Sequence, residues 1–329
     1  MQRPSHIIVI GTSAGGLKAL SGLVAQLDPS YDAAFFIVMH LSPATNSDFL
    51  LFRLQPFTSL KCTVAGHGMP VERGHIYIAP PRQHLLVDEN QVLLGMGPEE
   101  NRWKPSVDVL FRAAAASWSN RVTGIILTGM LDDGTAGMVA IKKSGGTCIV
   151  QDPAEAEYPG MATAVLNAMD VDACLPVADM GAHLKKITSV VKEAIAAPQE
   201  VKTEANIAMA TQIDYEAVKQ LGEQSIYACP DCGGGLWEID ETPSFTRYRC
   251  HVGHAYTEEE LSLRQNDALE STLWVALRIM EERRNLLVKM GKKNKDKGYG
   301  SWTENYTEKA TELEAHIAKL KEVLYATRE

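Results

Sequence analysis

Three polar residues stand just past apolar runs: Ser13 after HIIVIGT, His40 after AAFFIVM, and Asp133 after TGIILTGM and Leu131-Asp132. A hydroxyl, an imidazole and a carboxylate are the parts of an acyl-transfer triad, in which the base takes the hydroxyl proton and the acid fixes the tautomer of the base. Ser13 lies in Gly11-Thr12-Ser13-Ala14-Gly15-Gly16, which fits G-x-S-x-G; its small neighbours allow a sharp turn that presents a nucleophile at a helix N-terminus. Other uses of such a turn fit poorly. The dinucleotide fingerprint needs a glycine where Ser13 stands and an acidic residue where His40 ends the next strand, and no Gly-Lys-Ser/Thr follows for a Walker loop. The chain order Ser, His, Asp also differs from that of the α/β-hydrolases, which excludes that family and leaves the chemistry open. The structural alternative reads Ser13 as an N-cap, His40 as a core histidine and Asp133 as a turn residue.

A second constellation is Cys229-Pro-Asp-Cys232-Gly-Gly-Gly and Cys250-His251-Val252-Gly253-His254, with seventeen residues between Cys232 and Cys250. C-x2-C before glycine lets one tight turn offer two thiolates, and C-x3-H completes a tetrahedron. The expected ligands are Cys229, Cys232, Cys250 and His254, with His251 as the substitute, and four protein ligands make a structural zinc rather than a catalytic one. The alternative is a metal-free hairpin with buried thiols. Cys62, Cys148 and Cys174 stand singly in apolar stretches and read as reduced core thiols.

The elements that must position these groups follow from patterning. Apolar β-rich runs at 5–10, 33–39, 61–65, 75–79, 121–128, 147–151 and 171–174 alternate with helical patterns at 15–27, 46–56, 105–118, 135–144, 160–169 and 176–196. That alternation predicts an α/β fold with a doubly wound, mostly parallel sheet over residues 1–197, and residues 84–94 alternate around Asp88-Glu89-Asn90 as an inserted β-hairpin. In a parallel sheet Ser13, His40 and Asp133 all fall at the carboxyl edge, where ligands bind. Residues 198–225 are polar and open on Pro198, predicting a linker with at most one short helix. A small zinc-bound segment is expected over 226–256. From 257 to 329, a capping box at Thr257-x-x-Glu260 starts a helix expected to run to about 290, GKKNKDKGYG breaks it, and a second helix completes a helical hairpin or coiled-coil-like arm.

Composition closes off other classes. The 329 residues are 45% hydrophobic and 22% charged, with 41 acidic against 32 basic side chains and a net charge of −9. This is an ordinary globular composition, and its acidity, densest in 198–254, argues against nucleic acid as a partner. No apolar run is long enough for a membrane span and no signal-peptide pattern opens the chain, so a cytoplasmic location without membrane insertion is expected. His6, His67, His75 and His84 read as structural, while Arg102 and Lys104, just before Pro105, are placed at a substrate mouth.

IGTSAGG, VMHLSP, GHIYIAP, KPSVDVLF, GIILTGMLDDGTAGM and YPGMATAVL occur in the order, and at roughly the spacing, of the catalytic domain of CheB-type chemotaxis protein-glutamate methylesterases, over about residues 5–195. The resemblance implies Ser13 as nucleophile, His40 as general base and Asp133 as orienting acid, acting without a catalytic cofactor. It also implies hydrolysis of glutamate methyl esters, and deamidation of glutamines, on chemoreceptor-like proteins. Two residues depart from the pattern: Ala14 stands where the family often has Thr, and Asp132 where it usually has Asn, adding a carboxylate beside the triad. The family's usual N-terminal receiver is expected to be missing. The CPDCGG and RCHVGHAY blocks resemble a C-terminal extension of some receiver-less CheB-like proteins. The implied partner is a methylated chemoreceptor or similar signalling protein, with a regulator or a second copy meeting the C-terminal helices. The competing readings are a non-catalytic signalling adaptor built on the C-terminal module and a general small-ester hydrolase.

Overall fold

The computed structural model describes residues 3–326 except 42–44, 46, 191 and 210–214. The positions just past His40, part of the expected linker and the end of the expected arm therefore lie outside the described residues. In chain order the first strands are β1 (His6–Thr12), β2 (Ala33–Met39), β3 (Lys61–Val64) and β4 (His75–Ile78). The hairpin β5 (His84–Val87) and β6 (Val92–Gly95) follows, then β7 (Val122–Ile126), β8 (Thr147–Gln151) and β9 (Ala173–Leu175). The helices between them are α1 (Gly16–Val24), α2 (Ser47–Leu54), α3 (Val107–Trp118), α4 (Thr135–Lys143), α5 (Gly160–Ala168) and α6 (Val177–Thr188).

Seven strands form one parallel sheet in the order β3-β4-β2-β1-β7-β8-β9, and the predicted α/β class holds. Every residue of β1 is buried, as a central parallel strand covered on both faces requires. Its alternate side chains enter different cores. Ile8 and Ile10 pack with Leu20, Leu23 and Leu184 from α1 and α6, while Ile7 and Val9 pack with Phe111, Trp118, Met138 and Val165 from α3, α4 and α5. From β1 the order runs outward through β2 on one side and β7 on the other, so the switch point falls beside β1.

Residues 198–225, expected as a linker, carry α7 (Gln199–Met209) and α8 (Tyr215–Lys219). Val201, Glu204, Ala205 and Ala208 of α7 are buried, and Ala208 joins Leu86, Val109 and Ala113 in a cluster between the β5–β6 hairpin and α3. Next comes a four-stranded antiparallel ribbon of β10 (Glu223–Ala228), β11 (Gly235–Thr242), β12 (Phe245–Cys250) and β13 (Ala255–Thr257). The chain through Glu258 is one compact unit that includes this ribbon.

Residues 259–329 form the other unit, the helical hairpin of α9 (Glu258–Asp296) and α10 (Gly300–Ala326). Leu277, Ile317 and Leu324 form its buried seam, flanked by Leu273, Met280, Leu313 and Leu320. The expected break shrinks to 297–299, because α9 continues through the lysine-rich segment. Lysine is a good helix former and favourable near a helix C-terminus, and the single Gly291 costs only about 1 kcal/mol. Gly298, at φ 77°, ends the helix in the left-handed conformation that suits glycine. Among the described residues no helix is long and apolar enough to cross a membrane.

Candidate active site and metal centre

The parallel register sets the geometry. Thr12 of β1 pairs with Met39 of β2, so Ser13 and His40 are the next residues on adjacent strands, and the His40 amide donates to Thr12 O at 3.1 Å. On the other side of β1 the Ser13 amide donates to Thr128 O at 3.1 Å, tying the serine turn to the chain leaving β7. Gly15, at φ 73°, is the residue that caps α1, so Ser13 is not its N-cap. Ser13, His40 and Asp133 are all buried, at 8%, 7% and 2% exposure.

Asp133 reaches His40 Nε2 at 2.8 Å through Oδ2, which also accepts the Val107 amide at 2.8 Å. Its Oδ1 accepts Ser106 Oγ at 2.9 Å and the Asp108 amide at 3.2 Å. Val107 and Asp108 open α3, so Asp133 closes that helix's N-terminus, where an anion is favoured. Asp108 reciprocates. Its Oδ1 accepts the amides of Gly134 at 3.0 Å and Gly137 at 2.6 Å, at the start of α4.

Two buried carboxylates this close do not both hold charge easily. Burial, then the neighbouring Asp133, pushes Asp108 well above the usual carboxylate range. Asp108 Oδ2 lies 2.9 Å from the Asn101 side-chain nitrogen, and Asn101 Oδ1 is buried without a partner. The upward shift favours the protonated form of Asp108, which still offers Oδ1 to the amides that open α4.

The indole of Trp103 stacks on the His40 ring, with centroids 3.9 Å apart and planes 7° apart. His40 Nδ1 has no hydrogen-bond partner among the described residues. Beside this stack lies a cavity of about 390 Å3 lined by Met39, Arg82, Arg102, Trp103 and Lys104, among others, and Lys104 Nζ also donates to Met96 O at 2.9 Å and Gly97 O at 2.6 Å. His84 supports the α3 end of the site: its Nδ1 accepts the Ser106 amide at 3.2 Å and its Nε2 donates to Pro98 O at 2.8 Å. Burial lowers its pKa, as it does that of His6, which falls to about 3 and meets Thr123 Oγ1 at 2.8 Å.

The family described as CheB methylesterase matches residues 8–184, more than half of the chain. The chain belongs to that family. A CheB methylesterase catalytic domain from Thermotoga maritima has a similar fold, with a TM-score of 0.54 and 30% identity, over 55% of this chain and 98% of that one. A protein-glutamate methylesterase/protein-glutamine glutaminase of Caulobacter vibrioides is 36% identical over 186 residues, 55% of this chain and 53% of its own. This CheB-type chain therefore spans about half the length of such curated relatives. A putative protein-glutamate methylesterase/protein-glutamine glutaminase of Leptospira interrogans is 33% identical over 166 residues, 50% of this chain and 86% of its own.

The cysteines of the ribbon converge as their spacing implies. The ligand atoms of Cys229, Cys232, Cys250 and His254 all lie within 4.8 Å of one another, a group able to hold a metal ion. Cys232 Sγ and Cys250 Sγ are 3.7 Å apart, close to the about 3.8 Å edge of a tetrahedron with zinc–thiolate bonds of about 2.3 Å. Cys250 Sγ lies 3.5 Å from His254 Nδ1. His251, the substitute ligand, instead packs its ring near Tyr215 and Trp237. Outside the cluster, Tyr256 OH lies 3.0 Å from Cys229 Sγ and donates to Asp231 Oδ2 at 2.6 Å, the kind of surrounding bond that fixes a ligand's orientation.

Sequence reasoning missed Trp103, Ser106, Asp108 and Asn101. Ser106 and Asp108 lie inside the KPSVDVLF block, so the signal was present, but only the fold shows that the carboxylate faces α4. Trp103 carries no sequence pattern that ties it to His40.

Proposed function

We propose that this chain is a serine-type esterase that hydrolyses glutamate methyl esters on chemoreceptor-like proteins in the cytoplasm. In this reading it also deamidates glutamines at the same site and acts in chemotaxis or related signalling. The observation that carries the reading is the His40–Asp133 hydrogen bond at 2.8 Å, with the second imidazole nitrogen unpartnered on the residue adjacent to Ser13 in register.

Asp133 holds the proton on His40 Nε2, so Nδ1 is the basic nitrogen. Ser13 Oγ attacks the side-chain carbonyl carbon of the methylated glutamate as its proton passes to Nδ1, and Asp133 stabilises the resulting imidazolium. The tetrahedral oxyanion needs donors. The amides of Ser13 and Gly129 are committed to Thr128 O and Tyr158 O, and those of Ala14 and Met130, beside them in the two turns, are the donors assigned to this role. Collapse breaks the ester C–O bond, or the amide C–N bond when the substrate is glutamine, and the imidazolium gives its proton to the leaving group, which departs as methanol or ammonia. Water then attacks the acyl-serine with His40 again as base, releasing glutamate.

Zinc at Cys229, Cys232, Cys250 and His254 is the metal this donor set fits best, in a structural role: it would supply folding energy to a ribbon with a small core of its own. The test of the function is demethylation of a peptide carrying glutamate methyl esters by the purified chain. Turnover lost in both Ser13→Ala and His40→Ala supports the triad, and an undiminished rate in both variants overturns it.

A further inference from the structure

We propose that the antiparallel ribbon is a working part of the esterase site, with Arg249 and Thr257 as positioning residues for the two loops that close on His40. The proposal rests on the triad reading above and extends it to a module outside the region matched by the family.

The first loop runs from Glu100 to Trp103. Arg249 of β12 is wholly buried, and its Nη2 donates to Glu100 Oε1 at 2.8 Å. The other oxygen of Glu100 pairs with Arg112 of α3. Arg249 is itself fixed from the far side by Gly253 O at 3.1 Å and by Glu204 of α7 at 3.2 Å. One residue further on, the Asn101 amide donates to Ala255 O of β13 at 3.0 Å. Asn101 and Arg102 then adopt φ values of 48° and 67°, a left-handed conformation that Asn tolerates and Arg rarely adopts, before Trp103 lies on the His40 ring.

The second loop carries Asp133. Leu131 is also left-handed, at φ 63°, and the hydroxyl of Thr257, the last residue of β13, donates to Asp132 Oδ2. The next residue, Asp133, holds His40. Strained backbone persists where its surroundings over-determine it, and the ribbon supplies an anchor to each of these loops. The Asp132 carboxylate that departs from the family pattern is the acceptor of one anchor. A ribbon that served only to stabilise the fold would not need contacts one residue from Asp133 and three from Trp103.

Thr257→Val keeps the shape of a buried side chain and removes only the hydroxyl. In the full-length protein it is expected to lower kcat on a methyl-esterified peptide roughly tenfold with KM unchanged, as misplacement of a catalytic group does. It should also shift the downfield proton resonance of His40 Nε2–H, and Thr257→Ser should restore both. A normal kcat and an unmoved resonance in a folded Thr257→Val would overturn the proposal while leaving the triad in place. Absence of Ser13-dependent turnover in the unmutated protein would overturn the triad reading and this proposal together.

Discussion

Asp133 and Glu100 are both buried carboxylates, and their surroundings satisfy them in opposite ways. Asp133, at the carboxyl edge of the sheet, meets a hydroxyl, two amides at the start of α3 and the imidazole, and among the described residues no guanidinium or ammonium pairs with it. Glu100, at the seam between the sheet domain and the ribbon, is clamped between Arg112 and Arg249. Burial alone would push Glu100 up, but the two guanidiniums hold it down at about 2. The difference separates two jobs. A carboxylate satisfied by dipoles keeps its field available for an imidazolium formed during a reaction, whereas one satisfied by guanidiniums is spent on joining two parts of the molecule.

The largest expected effect falls on the dipole-held site. Asp133→Asn should lower kcat by about 10⁴-fold, because the amide no longer holds the imidazole in the tautomer that leaves Nδ1 basic. Steady-state kinetics on the methyl-esterified peptide measure it, and a loss under tenfold would erase the distinction drawn here.

Glu100→Gln acts on the seam instead. It takes the paired carboxylate from Arg112 and leaves Arg249 with Glu204 alone, and removal of one partner from a buried ion pair costs roughly 3–5 kcal/mol. Denaturant unfolding should show that loss, with the ribbon strands losing amide-exchange protection first. Acid gives the same contrast by titration. Because Glu100 has a folded pKa below its ordinary value of 4.5, its contribution to stability is full above about pH 4.5 and is lost as pH falls from there through about 2. In Glu100→Gln the stability profile over that range should be correspondingly flatter.

The smallest effect concerns Asp108, whose raised pKa reverses the sign. The folded state keeps a proton that the unfolded chain loses above 3.8, so ionisation costs stability as pH rises. Asp108→Asn mimics the protonated acid and should leave stability at neutral pH within about 1 kcal/mol of the unmutated protein. Asp108→Ala orphans the amides of Gly134 and Gly137 and should cost about 1–3 kcal/mol. Equal costs for the two variants would show that Asp108 is ionised.

What the sequence made legible follows the same division. The central sheet strands could be read because parallel strands covered on both faces are continuous apolar runs, and Ser13, His40 and Asp133 could be singled out because each sits just past one of them. The four metal-ligand candidates were legible from spacing within two short turns. Pairings such as Glu100 with Arg249, 149 residues apart, follow no period and no motif, and only the folded chain brings them together. Helix α7 hid for a related reason: its buried face includes Glu204, whose charge looks like solvent exposure until Arg247 and Arg249 are beside it.

The central claim is that Ser13 is a nucleophile activated by His40. Reaction of the full-length protein with a fluorophosphonate, followed by intact-mass measurement and peptide mapping, tests it most directly. The account predicts one adduct per chain, located on Ser13 and lost in His40→Ala. A folded protein that carries no adduct at Ser13, or labels equally in His40→Ala, would contradict it.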